Sequence, residues 1–113
     1  MDKKIVNYQL VLCDILKEYA QIKKTLTPDV KYQTVIDKEE NHYVLLSIGF
    51  NKQRFVYNTV FHFDIINDKI WLQQNNTDVL IADELEERGV PKSDIVLGFI
   101  PPTARAYAGF AAA

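Results

Sequence analysis

The stretch from Asn41 to Gln74, NHYVLLSIGFNKQRFVYNTVFHFDIINDKIWLQQ, is the strongest constraint on what this chain can fold into. Three runs dense in β-branched and aromatic residues are separated by two short polar turns, Asn51-Lys52-Gln53 and Asn67-Asp68. Such runs, bounded by turn residues, read as strands joined by hairpins. Asn and Asp tolerate the positive φ that two-residue hairpin loops require. With Asn67-Asp68 as the loop, Ile65 faces Ile70, Phe63 faces Leu72, Asp64 faces Trp71 and His62 faces Gln73. With Lys52-Gln53 as the tip of the preceding turn, Phe50 faces Phe55, Ile48 faces Tyr57, Leu46 faces Thr59 and Val44 faces Phe61. Strand side chains alternate with period two. Both registers therefore predict one apolar face bearing Phe55, Tyr57, Thr59, Phe61, Phe63 and Ile65. The opposite face is predicted to carry Tyr43, Arg54, Val56, Asn58, Val60, His62, Asp64 and Trp71. That mixed character suggests partial cover by a second copy or a partner.

The flanks supply helices. Ile5, Tyr8, Leu12, Ile15, Tyr19 and Ile22 recur at spacings of three and four, which predicts an amphipathic helix from Lys3 to Lys24. Asp2 is its expected N-cap, Lys23 and Lys24 suit its C-terminal dipole, and Pro28 marks the exit. Lys31 to Asp37 reads as the first strand. Val79 to Arg88 reads as a short second helix with Leu80, Ile81 and Leu85 inward. Gly89 suits a left-handed C′ position, with Val90 touching Leu85 as in a Schellman ending. Ser93-Asp94 reads as a cap or turn before Ile95, Val96 and Leu97. Gly98 to Ala113 reads as an irregular tail docked through Phe99, Tyr107 and Phe110. The expected architecture is α+β: two helices packed on a four-stranded antiparallel meander within a single domain, 1–113.

Composition bounds function. The 113 residues are 48% apolar and 25% charged, as in an ordinary globular domain, and the net charge is −2. From Asn76 onward there are six Asp or Glu against three Lys or Arg. Affinity for DNA comes chiefly from neutralising phosphates, so strong unaided DNA binding is disfavoured. The single cysteine, Cys13, allows neither an internal disulfide nor a multi-cysteine metal site, which fits a reducing compartment. No signal-peptide pattern occurs at the N-terminus, and no apolar run approaches roughly 18 residues. The expected location is cytoplasmic.

Beyond this the chain carries family marks. His62-Phe63-Asp64-Ile65, followed by Asp68-Lys69-Ile70-Trp71-Leu72-Gln73, resembles the "HLDIKDGKIWIQ" pattern of the XisI family, the fdxN-element excision controlling factors common in cyanobacteria. Glu84-Leu85, Gly89-Val90-Pro91-Lys92, Asp94-Ile95-Val96-Leu97-Gly98-Phe99, Pro102, Arg105 and Gly109-Phe110-Ala111 resemble its "ELVELGVPKxDIVLGF…P…R…T.FA" ending. Asp37 with Asn41-His42-Tyr43 resembles its "D..RDHY" turn. The likeness spans essentially the whole chain. Asn75-Asn76-Thr77-Asp78 replaces the family's "DGTE", and Ala108 its usual tail Thr. The resemblance implies a factor required when a separate recombinase complex excises a DNA element. It also implies a nuclease-like companion of the XisH family as partner. It supplies no catalytic residues and no cofactor.

The residues themselves offer few chemical candidates. His62 and Asp64 fall on one strand face beside Trp71 and Gln73, so a hydrogen-bonded structural pair competes with a general base for a small hydrolase. A metal site of His42, His62 and Asp64 is opposed by the register, which leaves His42 beside Phe63. Cys13 reads as an inert, partly buried thiol. Arg105 reads either as an anchor of the tail to an internal carboxylate or as a partner contact. The expectation is a non-enzymatic accessory factor with no catalytic, metal or cofactor residues. It binds its partner, or a second copy, through Val56, Val60, Trp71, Arg105 and Tyr107. Direct DNA contact by the sheet is a rival reading.

Overall fold

A computed structural model describes residues 2–26 and 29–113. The order of elements is α1 (Lys3–Leu26), β1 (Val30–Asp37), β2 (His42–Asn51), β3 (Arg54–Ile66), β4 (Lys69–Asn75), α2 (Ile81–Glu87), β5 (Ile95–Leu97) and α3 (Pro102–Arg105). The class is α+β, as expected, but the sheet has five strands in the order β1-β2-β3-β4-β5. Strands β1 to β4 form the antiparallel meander. The fifth, Ile95–Leu97, adds parallel to β4. Three residues are too few for the alternation to announce a strand. The tail is not wholly irregular, because Pro102 at the first helical position starts the short α3.

Local chemistry explains the boundaries. The Asp2 carboxylate accepts the Lys4 backbone N–H at 2.9 Å, capping α1. The expected exit at Pro28 lies outside the described residues. Asn67 and Asp68 both have positive φ, 51° and 64°, which matches the right-handed twist of the flanking strands. Lys52 also has positive φ. At the end of α2, Gly89 has φ 97°. The Val90 and Gly89 N–H groups donate to Leu85 and Glu86 carbonyls, both at 3.0 Å, completing the Schellman ending.

Two bulges correct the registers. From the Lys52-Gln53 turn, Phe50 pairs with Phe55, Ile48 with Tyr57 and Leu46 with Thr59, as predicted, but Leu45 then pairs with Phe61. Val60 is the extra residue, and Val44 faces His62 rather than Phe61. An inserted residue reverses the alternation of everything beyond it. Phe61, Phe63 and Ile65 therefore share a face with Tyr43 and Leu45, whereas Phe55, Tyr57 and Thr59 point the other way. The second bulge is at Gln73, so His62 pairs with Gln74 and not Gln73. Asn76 stabilises the first. Its N–H donates to the Val60 carbonyl at 3.0 Å and its side-chain amide to the Thr59 carbonyl at 2.8 Å, so the backbone groups freed by the irregularity keep partners.

The core lies between the sheet and the helices. Leu12, Ile15 and Leu16 of α1, Tyr43 and Leu45 of β2, and Phe61 and Phe63 of β3 are fully buried. Ile70 of β4, Ile81 and Leu85 of α2, and Ile95 join them. Tyr43 and Val60, assigned to the far face by an unbroken alternation, belong to this core. Three helix positions also depart from expectation: Cys13 is buried, Ile22 is 51% exposed and Leu80 is 74% exposed.

Candidate functional site

The chemistry-bearing side chains meet on the face of the sheet away from α1. His62 and Asp64 are two apart on β3 and share that face. The Val60 bulge moves the register by one residue, so His42 stands opposite Asp64 instead of Phe63. The His42 Nδ1 lies 2.7 Å from Asp64 Oδ1, and the His62 Nε2 lies 2.9 Å from the same oxygen. The other oxygen, Oδ2, accepts a hydrogen bond from the Gln73 amide at 3.2 Å. The Gln73 bulge turns that side chain toward Asp64. It also packs closely on Gly98, where a Cβ would overlap its amide oxygen. Glycine at 98 is thus part of the support for the cluster.

The electrostatics follow from this geometry. Burial pushes the Asp64 carboxyl up, but hydrogen bonds from His42, His62 and Gln73 outweigh it and hold the pKa below the usual carboxylate range. The Asp64 carboxylate, in turn, raises the His42 imidazole above its ordinary value. No hydroxyl or thiol is among the hydrogen-bonding partners of Asp64 in the described residues. Cys13 is buried on the helix side of the sheet.

Beside the cluster, Trp71 pairs with Asp64 across the β3–β4 ladder. The Arg105 guanidinium lies over the Trp71 ring, 5.0 Å from its centroid. Arg105 does not meet a carboxylate, as the anchor reading had it. Its Nε donates to the Ile100 carbonyl at 3.0 Å and its Nη2 to the Gly98 carbonyl at 3.4 Å. The tail is thus tied down over Trp71 by its own backbone. Tyr107 and Phe99 are 90% and 56% exposed, whereas Phe110 packs against the core, so of the three expected docking residues only Phe110 is seated there.

The five residues expected to form one partner surface divide. Val60 is 6% exposed in the core, and Val56 lines a cleft on the helix side with Val30, Tyr32, Ser47 and Asn58. That cleft encloses about 920 Å³ and contains none of the His42, His62 and Asp64 side chains. Trp71 and Arg105 cover each other, leaving Tyr107 freely exposed. Alternation alone missed the apolar band that the bulge turns outward: Phe50, Phe55 and Tyr57 at the β2–β3 tip, with Val35 on β1.

Known proteins match this arrangement throughout. The model of the XisI family, described as XisI protein, matches residues 1–112. The crystal structure of a XisI-like protein from Anabaena variabilis ATCC 29413 is 41% identical, covers 96% of this chain and 99% of its own, and superposes with a TM-score of 0.89. That of the fdxN element excision controlling factor XisI from the same organism is 31% identical, covers 98% of this chain and all of its own, with a TM-score of 0.83. No curated protein sequence matches. With the same fold along nearly its whole length and the family's pattern carried by the strands and tail just described, the chain belongs to the XisI family.

Proposed function

We propose that this chain is a non-enzymatic accessory factor in the excision of a DNA element, and that it works through a protein partner, a nuclease-like companion of the XisH class. Membership of the XisI family supports the role in excision control. The observation that carries the partner reading is the uncovered apolar band on the sheet. Phe50, Phe55 and Tyr57 are 54%, 58% and 60% exposed and Val35 is 47% exposed, while α1 and α2 pack against the opposite face. Contiguous exposed apolar and aromatic side chains mark interaction surfaces. Tyr107 lies exposed in the tail as a second contact.

Two observations weigh against the rivals. Among the described residues, the two clefts at the β2–β3 end of the sheet are lined by neither His62 nor Asp64, where a hydrolase would set its catalytic pair in a concave pocket. The net charge of −2 gives the chain no overall positive field to draw phosphates, which weighs against strong unaided DNA binding. The test is excision in cells lacking this gene. The wild-type chain should restore excision, and a folded Phe55→Asp/Tyr57→Asp variant should not. Full restoration by that variant would refute the surface. Salt-sensitive duplex binding by the lone chain, lost together with excision in a lysine-neutralised variant, would instead favour direct DNA contact.

A further inference from the structure

We infer that His42, His62 and Asp64 form a zinc site. Their donor atoms, two imidazole nitrogens and one carboxylate oxygen, all lie within 4.8 Å of one another. This donor set is an ordinary one for Zn²⁺. Imidazole nitrogen suits a borderline ion such as zinc, whereas magnesium and calcium take oxygen ligands.

Three further features go beyond the proximity of the three side chains. First, all three ligands stand on paired strands: His62 and Asp64 are successive outward positions of β3, and His42 is the direct cross-strand partner of Asp64. The backbone ladder fixes their separation. Second, tetrahedral zinc holds its donor atoms roughly 3.3 Å apart, given bonds near 2.0–2.1 Å. The His–Asp distances of 2.7 and 2.9 Å need to open by only a few tenths of an ångström. The His42 side chain is 55% exposed and has room to make that adjustment. Third, the carboxylate oxygen not facing the imidazoles is already held by Gln73. A hydrogen bond to the non-ligating oxygen is how metal-binding carboxylates are commonly oriented. The Gln73 bulge and the bare Cα of Gly98 make room for it.

Bound zinc would tie β2 to β3 beyond the Val60 bulge and leave a coordination position open to water. Nothing in the excision reading requires this ion, and the site stands or falls independently of that reading.

The chain has two histidines, which makes the experiment unambiguous. Untagged protein stripped with EDTA is titrated with zinc against a chromophoric chelator, and histidine nitrogens are followed by long-range ¹⁵N NMR. One zinc should bind per chain, shifting Nδ1 of His42 and Nε2 of His62, and the melting temperature should rise with zinc. His42→Gln should abolish stoichiometric binding while keeping the wild-type circular dichroism in EDTA. Gln73→Ala, which removes the positioning hydrogen bond to Asp64 but no zinc ligand, should weaken zinc by roughly 10- to 100-fold. No stoichiometric zinc, or zinc that leaves both imidazoles unshifted in the wild-type protein, would overturn the assignment. The NMR readout needs no variant, so a misfolded substitution cannot mask the result.

Discussion

Leu45 stands opposite Phe61 across the β2–β3 ladder, one residue out of step with the pairing that runs up from the turn. That single slip decides which aromatic residues become core. Phe61 is fully buried and meets Tyr19 edge-on, with ring centroids 5.2 Å apart. Phe55 is 58% exposed and touches Phe50 at 5.4 Å.

The two phenylalanines should therefore respond differently to truncation. Phe61→Ala should cost about 3–5 kcal/mol, the cost of emptying a close-packed core position. Phe55→Ala should cost about 1 kcal/mol, the value of its edge contact with Phe50. Urea unfolding of the two variants measures the difference. Equal losses would mean that the alternation is unbroken and both rings are core.

A second prediction concerns Asn76. Its side-chain amide satisfies the Thr59 carbonyl beside the bulge. Asn76→Ala should cost about 0.5–1.5 kcal/mol. It should also speed amide exchange around 59–61 more than elsewhere in β3.

Asp94 supplies a pH dependence. Its carboxylate accepts the Tyr8 hydroxyl and pairs with the Lys4 ammonium at 2.9 Å, joining α1 to the turn that precedes β5. Burial raises its pKa, but these two partners outweigh burial and lower it below the usual range. A carboxyl whose folded pKa is depressed contributes stability above its unfolded value, near pH 3.9, and loses it as pH falls through the folded one. Asp94→Asn and Tyr8→Phe should each cost roughly 1–3 kcal/mol at pH 7. The Asn variant's deficit should shrink as the pH is lowered below about 4.

Arg105 should behave as a tail anchor. Arg105→Ala removes the cation from the Trp71 face and the hydrogen bonds to Ile100 and Gly98. A loss of about 1–2 kcal/mol is expected, with a red shift of the fluorescence of the chain's one tryptophan as the ring is uncovered. Arg105→Lys should restore little of either, because an ammonium cannot stack its plane on the ring.

Much of this architecture was legible in the residues. Both hairpin turns, the pairing next to each turn, the cap at Asp2 and the ending at Gly89 follow from local rules that act within a few residues. The Val60 bulge does not. Nothing in Thr59-Val60-Phe61 marks an insertion, and its stabilising partner Asn76 lies beyond the next strand. One such residue reverses everything beyond it: an unbroken alternation puts Tyr43 and Val60 on the wrong face, hides the Phe55–Tyr57 band and sets His42 beside Phe63. Ile95, Val96 and Leu97 follow a recognisable turn but do not announce a strand, because their pairing with β4 depends on a crossover through α2 that alternation cannot reveal. The grouping of His62, Asp64, Trp71 and Gln73 is legible because Asp64 and Trp71 pair close to the well-specified Asn67-Asp68 turn, although His62 pairs with Gln74.

Light scattering coupled to size-exclusion chromatography, on this chain mixed with its XisH-class companion, bears most directly on the claim of a factor acting through a protein partner. A single peak at the summed mass is the predicted result, lost with the folded Phe55→Asp/Tyr57→Asp variant. Two separate peaks at the individual masses from the wild-type mixture would contradict it.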